Sequence, residues 1–132
     1  MAIPEERMLQ ILRETYEAFN RRDFDVTVER AHPEIVFVRP GLERELVGAE
    51  ALRAWMEPDA FERQHFEPIE FRVAGNRVLV HQDMTARGAG SGIEIEIKTI
   101  TVWTFDDDGR VTRIENYFEH EGAEALSALH AP

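Results

Sequence analysis

Residues 65–88, HFEPIEFRVAGNRVLVHQDMTARG, read as two extended runs that meet at Gly75 and Asn76. The runs are rich in β-branched and aromatic side chains, and the dipeptide between them suits a tight turn, so the segment is expected to fold as a β-hairpin. Downstream, GIEIEIKTITVWTF is turned by DDDGR into VTRIENYFEH, which extends the hairpin into an antiparallel meander. Ile93, Ile95 and Ile97 alternate with Glu94, Glu96 and Lys98, so one face of that strand is expected to be wet. A sheet of this kind needs helices to bury its other face.

The upstream residues supply them. In PEERMLQILRETYEAFNRRD, Pro4 suits a first helical position, and Glu5 and Glu6 suit the positive end of the helix dipole. Leu9, Leu12, Tyr16 and Phe19 recur at three- and four-residue steps and make one apolar stripe. A shorter helix is expected around FDVTVERAH, closed by Pro33, followed by a strand in EIVFVRP. GAEALRAWMEP returns to helix with Leu52, Trp55 and Met56 on one side, and GAEALSALH reads as a short last helix. The expected class is α+β, with helices packed on one side of a curved sheet, in one domain spanning residues 1–132.

Charge and composition narrow the partners. A formal net charge of -11 without any Lys/Arg-rich run repels polyanions, so neither nucleic acid nor an anionic membrane surface is an expected partner. With no cysteine the chain has no disulfide, no thiolate nucleophile and no Cys-ligated zinc, which fits a reducing compartment. The opening MAIPEERMLQIL lacks an apolar core and a cleavage signal, and no run is long enough to span a bilayer. A cytoplasmic location is expected.

Four stretches taken together, YEAFNRRD, HPEIVFVRPG, GAEALRAWM and FDDDGRVTRIENYFE, resemble the SnoaL-like branch of the nuclear transport factor 2-like superfamily over nearly the whole chain. The resemblance implies a cone in which three helices cover the concave face of a bent sheet around a deep pocket, with homodimers formed through the sheet. Ketosteroid isomerases, limonene epoxide hydrolases, polyketide cyclases and non-catalytic binding proteins share it, so the fold alone does not give the function. In the epoxide hydrolase pattern the arginine position falls on His81, the first aspartate on Asp83 and the second on Asn116. In the isomerase pattern the base falls on Arg39 before Pro40, the acidic donor on Thr101 before Trp103, and the helix tyrosine nearest Thr15, beside Tyr16.

Period-two counting places Leu79, His81, Asp83 and Thr85 on one strand face, with the His81 and Asp83 side chains about 6.5–7 Å apart. If that face points into the pocket, Asp83 is expected to act as a base or to hold a water, with His81 as its proton-donating partner. Alternatively the two pair with each other or the backbone and merely satisfy a polar spot in the core. Arg39 and Asn116 are expected to orient polar ligand groups, Trp55 and Trp103 to form walls, and Tyr16, Thr101 and Phe118 to complete the lining. The ligand is expected to be a largely apolar, oxygen-bearing organic molecule, acted on without a cofactor by isomerisation, cyclisation or addition of water. A binding module without catalysis and a dimerising association domain without ligand are the alternatives. Glycines at 88, 90 and 92 lack the dinucleotide-binding spacing, TFDDDGRVTRIE departs from a calcium loop at Thr104, and no dense ligand spacing supports a metal at His81, Asp83 and His65 or His120.

Overall fold

The hairpin at Gly75 and Asn76 forms as expected in a computed structural model that describes residues 2–38, 45–56 and 61–132. Gly75 takes a positive φ of 60° and Asn76 does not, the pattern of a type II′ turn, whose twist matches that of the flanking strands. The Asn76 side-chain amide donates to the Phe105 carbonyl at 2.7 Å, and the Phe105 N–H donates to the Asn76 carbonyl at 2.9 Å. The turn is thereby stitched to the next strand as well as to its own hairpin.

The described residues form strands β1 (Ala31–Val38), β2 (Leu46–Val47), β3 (Phe61–Ala74), β4 (Arg77–Gly88), β5 (Glu94–Phe105) and β6 (Val111–Phe118). They lie in one open sheet in the order β2-β1-β6-β5-β4-β3. β1 runs parallel to β6 while the other neighbours are antiparallel, so the sheet is mixed rather than a pure meander. Helices α1 (Glu5–Asn20), α2 (Phe24–Arg30), α3 (Ala49–Met56) and α4 (Gly122–Leu129) complete the α+β architecture.

Two apolar clusters show which face each helix covers. Met8, Ile11, Leu12 and Tyr16 of α1 and Leu52 and Met56 of α3 pack with Val78, Val80, Trp103, Phe105 and Ile114. On the other face Ala125 and Leu129 of α4 pack with Leu79, Ile100 and Val102. The helices therefore do not all lie on one side. α4 crosses to the opposite face because Leu79, Ile100 and Val102 would otherwise leave an apolar patch in water. Val78, Leu79 and Val80 are all buried for this reason, each face of β4 being covered at that level.

Other departures are local. Pro4 is the N-cap of α1 rather than its first helical residue, and the buried stripe is centred on Met8, Ile11, Leu12, Thr15 and Tyr16, with Leu9 and Phe19 at its margins. α2 ends at Arg30 and Pro33 lies within β1, at the irregularity between the Ala31 and Val36 pairings where a missing N–H costs no regular ladder bond. Ile95 and Ile97, expected to be covered, are 37% and 38% exposed, and Glu94 and Glu96 are exposed as well. This end of β5 has both faces open.

The DDDGR turn is held by Asp106, whose Oδ1 accepts from the N–H groups of Asp108 at 3.0 Å and Arg110 at 2.9 Å. Burial alone would raise the Asp106 pKa, but these two N–H groups and the Arg110 guanidinium outweigh it and hold the carboxyl below its ordinary value. A depressed carboxyl stabilises the fold above its unfolded pKa and loses that contribution as pH falls through the folded one. Asp106→Ala should therefore cost about 1.5 kcal/mol in urea denaturation at pH 7, and the gap to the parent protein should narrow at pH 3. An equal gap at both pH values would show that the Asp106 carboxylate does not hold the turn.

Candidate functional site

Strand register sorts the side chains of the central strands. Gln82 pairs with Thr99, Val80 with Thr101 and Val78 with Trp103, while Thr101 pairs with Asn116 and Trp103 with Ile114. Val78, Val80 and Gln82 consequently share a face with Thr101, Trp103, Ile114 and Asn116, the face covered by α1 and α3. His81 and Asp83 lie on the other face, opposite Ile100 and Lys98.

Between α1–α3 and the sheet is a cavity of about 90 Å³. From the helices it is walled by Thr15, Tyr16, Phe19, Thr27, Leu52 and Met56. The strands contribute Phe37, Phe66, Gln82, Thr101, Trp103, Ile114 and Asn116, and Trp55 of α3 closes the remaining side. Trp55 packs on Phe37 with ring centroids 4.6 Å apart, yet it is 39% exposed, which puts it at the mouth. Tyr16 meets Trp103 edge-on at 5.9 Å.

One polar seam crosses this apolar wall. The Tyr16 hydroxyl donates to Gln82 Oε1, and Gln82 Nε2 donates to Thr99 Oγ1 at 3.0 Å and to Thr101 Oγ1 at 2.7 Å. Thr101 Oγ1 donates to Asn116 Oδ1 at 2.9 Å, and Asn116 Nδ2 donates to the Val38 carbonyl at 3.2 Å. Gln82 is buried and would carry a large desolvation cost if unpaired, which the seam offsets. Every member is uncharged. Burial pushes the Tyr16 phenol well above its ordinary pKa, and the nearby Trp103 and Thr101 lower it only in part, so it remains a neutral phenol. The Trp103 indole N–H acts on that oxygen from outside hydrogen-bond geometry and has no other acceptor among the described residues, and the buried Thr27 hydroxyl has no partner there either.

Of the residues singled out in the sequence, Tyr16, Trp55, Trp103, Thr101 and Asn116 come together around the cavity. Arg39 lies outside the described residues. Phe118 does not line the cavity: it ends β6, is 43% exposed and stacks on His120. His81 and Asp83 do not face the hollow, contrary to the expected inward placement. They border a groove on the opposite face with Ile69, Glu70, Lys98 and Glu119, where Lys98 Nζ lies 3.3 Å from Asp83 Oδ1. The groove is roomier, about 220 Å³, but it opens to solvent and Glu70, Asp83, Lys98 and Glu119 put charge on its walls beside Ile69, Thr99 and Ile100. Among the described residues no group of three or more His, Asp or Glu side chains converges to hold a metal.

Gln82, the centre of the seam, was not among the expected site residues. The signal was present: Val78, Val80, Gln82 and Met84 form a more apolar alternation than Leu79, His81, Asp83 and Thr85.

The open mixed sheet, helices on its inner face and the cavity between them define an α+β fold of the NTF2-like type. The SnoaL-like domain model matches residues 12–114, and the chain belongs to that family. An NTF2-like protein of unknown function from Burkholderia pseudomallei is 26% identical, with 96% of this chain and 98% of that one covered and a TM-score of 0.76. TerC co-crystallised with polyporic acid is 23% identical, with coverage of 91% and 97% and a TM-score of 0.74. SalBIII, an epoxide hydrolase/cyclase-like enzyme with a role in pyran ring formation in the polyether salinomycin, is 18% identical, with coverage of 86% and 92% and a TM-score of 0.78. No curated protein matches the sequence. The relatives of this fold thus include polyketide cyclases and epoxide hydrolase-like enzymes.

Proposed function

We propose that this protein binds a small, uncharged, oxygen-bearing aromatic molecule in the cavity between α1–α3 and the sheet. The observation that carries the reading is the lining itself: aromatic and aliphatic walls crossed by one neutral hydrogen-bonded seam, with no carboxylate, imidazole or cation among the described lining residues. A few fixed polar groups in an apolar hollow are what orient a ligand. A volume of about 90 Å³ is far below the roughly 300 Å³ at which drug-sized sites begin, so the occupant is about one ring unless Trp55 swings from the mouth. The co-crystallisation of TerC with polyporic acid supports an organic occupant for a domain of this shape.

With these walls, chemistry on the ligand relies on holding and polarising neutral oxygen groups rather than on a side-chain base. Ring closure within one bound molecule, the kind of reaction named for SalBIII, is the catalytic form of the reading, because alignment of two groups of the same substrate lowers the barrier, the proton of the attacking hydroxyl passing to the substrate oxygen that is released or reduced in bond order.

Thermal-shift and NMR titrations of the full chain test it. Toluene and benzaldehyde should raise the melting temperature and move the side-chain signals of the apolar cavity wall, as ligands that bind only the folded state do, whereas benzoate should do neither. Asp83→Asn and His81→Ala should respond as the parent protein does, since both side chains lie across the sheet from the cavity. Equal responses to benzaldehyde and benzoate, or a cavity signal that none of the compounds moves, would overturn the reading.

A further inference from the structure

The proton directions along the polar seam follow from its last member. A backbone carbonyl can only accept, so Val38 requires the amide nitrogen of Asn116 to face it, at 3.2 Å. Asn116 Oδ1 must then face Thr101, whose single hydroxyl proton is spent on it at 2.9 Å. Thr101 Oγ1 can therefore only accept from Gln82, which turns Nε2 toward Thr99 and Thr101 and leaves Oε1 for Tyr16. A carbonyl oxygen at that place demands the phenol proton. Tyr16, the residue on the cavity wall that looks most like a hydrogen-bond donor, has already given its proton away, and what it offers the cavity is a lone pair.

A second, independent observation stands beside it. The indole N–H of Trp103, a residue only 8% exposed, is buried on the same wall, close enough to the Tyr16 oxygen to lower its pKa but outside hydrogen-bond geometry with it or any other acceptor among the described residues. Buried N–H groups rarely stay unpaired, and one that does marks a place a ligand atom can complete.

We propose that the Tyr16 oxygen and the Trp103 N–H together select a ligand hydroxyl, of phenol or enol type, which donates its proton to Tyr16 and accepts from Trp103. An ether, a ketone or an aldehyde accepts from Trp103 but leaves Tyr16 unanswered. A carboxylate brings lone pairs and a negative charge against the lone pair of Tyr16. Tyr16 is thus a specificity-determining residue that reads a ligand proton instead of supplying one. The inference rests on the proposed occupancy of the cavity by a small aromatic molecule and names the group that the molecule carries.

The probes are phenol, its near-isostere toluene, and benzaldehyde, titrated into the full chain and into Tyr16→Phe by NMR and calorimetry. In the parent protein phenol should bind about ten-fold more tightly than benzaldehyde and move the Trp103 indole N–H downfield, a shift that toluene does not produce. In Tyr16→Phe the preference for phenol over toluene should fall about ten-fold, mostly through weaker phenol binding. Binding of toluene but not phenol, or a phenol-to-toluene ratio unchanged by Tyr16→Phe, would overturn the hydroxyl proposal while leaving the cavity as a binding site. Failure of all three probes to move any cavity signal would overturn both. If Tyr16→Phe does not fold, the comparison of phenol with benzaldehyde and the indole shift in the parent protein decide alone: equal affinities, or no downfield shift with phenol, count against the proposal.

Discussion

Replacing Gln82 with glutamate should make the protein lose stability as pH rises, by about 3 kcal/mol between pH 5 and pH 8. Gln82 is buried and its Nε2 serves two threonine hydroxyls while its Oε1 serves Tyr16. A carboxyl in its place keeps the acceptor toward Tyr16 but, once ionised, loses every donor toward Thr99 and Thr101 and carries a charge into an apolar wall. Protonation restores one donor and removes the charge, so the folded pKa rises above the value near 4.3 of an unfolded glutamate. For a raised carboxyl the folded state binds more protons between the two pKa values, and stability therefore falls with pH across that window. Urea denaturation of Gln82→Glu at pH 5 and pH 8, referenced to the parent protein at each pH, measures the effect. A stability difference that does not change with pH would mean that residue 82 is reached by water and that the seam is solvated.

Phe105→Ala should be costlier still at neutral pH, about 4 kcal/mol, lowering the melting temperature by about 15 °C. Phe105 is 1% exposed and belongs to the main core cluster, and its own backbone N–H and carbonyl are bonded to Asn76 in the β3–β4 turn. Neighbours tied in this way cannot collapse into the space a phenyl ring leaves, which puts the site toward the upper end of large-to-small costs. Chemical denaturation and calorimetry report it directly. A loss below about 2 kcal/mol would show that α1 and the sheet can close the gap, and that the core is softer than its packing implies.

Element type and order were legible in the chain because they rest on local signals. Gly75–Asn76 sets a turn, Pro4 and two glutamates open α1, and the β-branched and aromatic runs after residue 65 cannot be satisfied as helix. The family resemblance pointed to Thr101, Asn116 and the neighbourhood of Tyr16, and the flat wall and single donor of an indole pointed to Trp55 and Trp103; all five line the cavity. The failure came at β4. Val78, Leu79 and Val80 are consecutive apolar residues, so the parity that decides which side chains face inward is ambiguous when the strand is read alone. Placing His81 and Asp83 inward takes the wrong parity, and a shift of one residue exchanges every side chain of a strand between the two faces.

Periodicity and turn chemistry are properties of neighbours along the chain, and they were enough to establish an α+β domain with an apolar face to bury and several of the residues that bury it. Which face of β4 meets the hollow depends on its pairing with β3 and β5 and on α4 crossing to the far side of the sheet, all long-range arrangements. The same holds for the seam from Tyr16 to Val38, whose members come from α1, β4, β5, β6 and β1. No stretch of sequence encodes a hydrogen bond between residues 66 positions apart. It exists because five elements converge on one dry wall, where each polar group is driven to find a partner by the cost of having none.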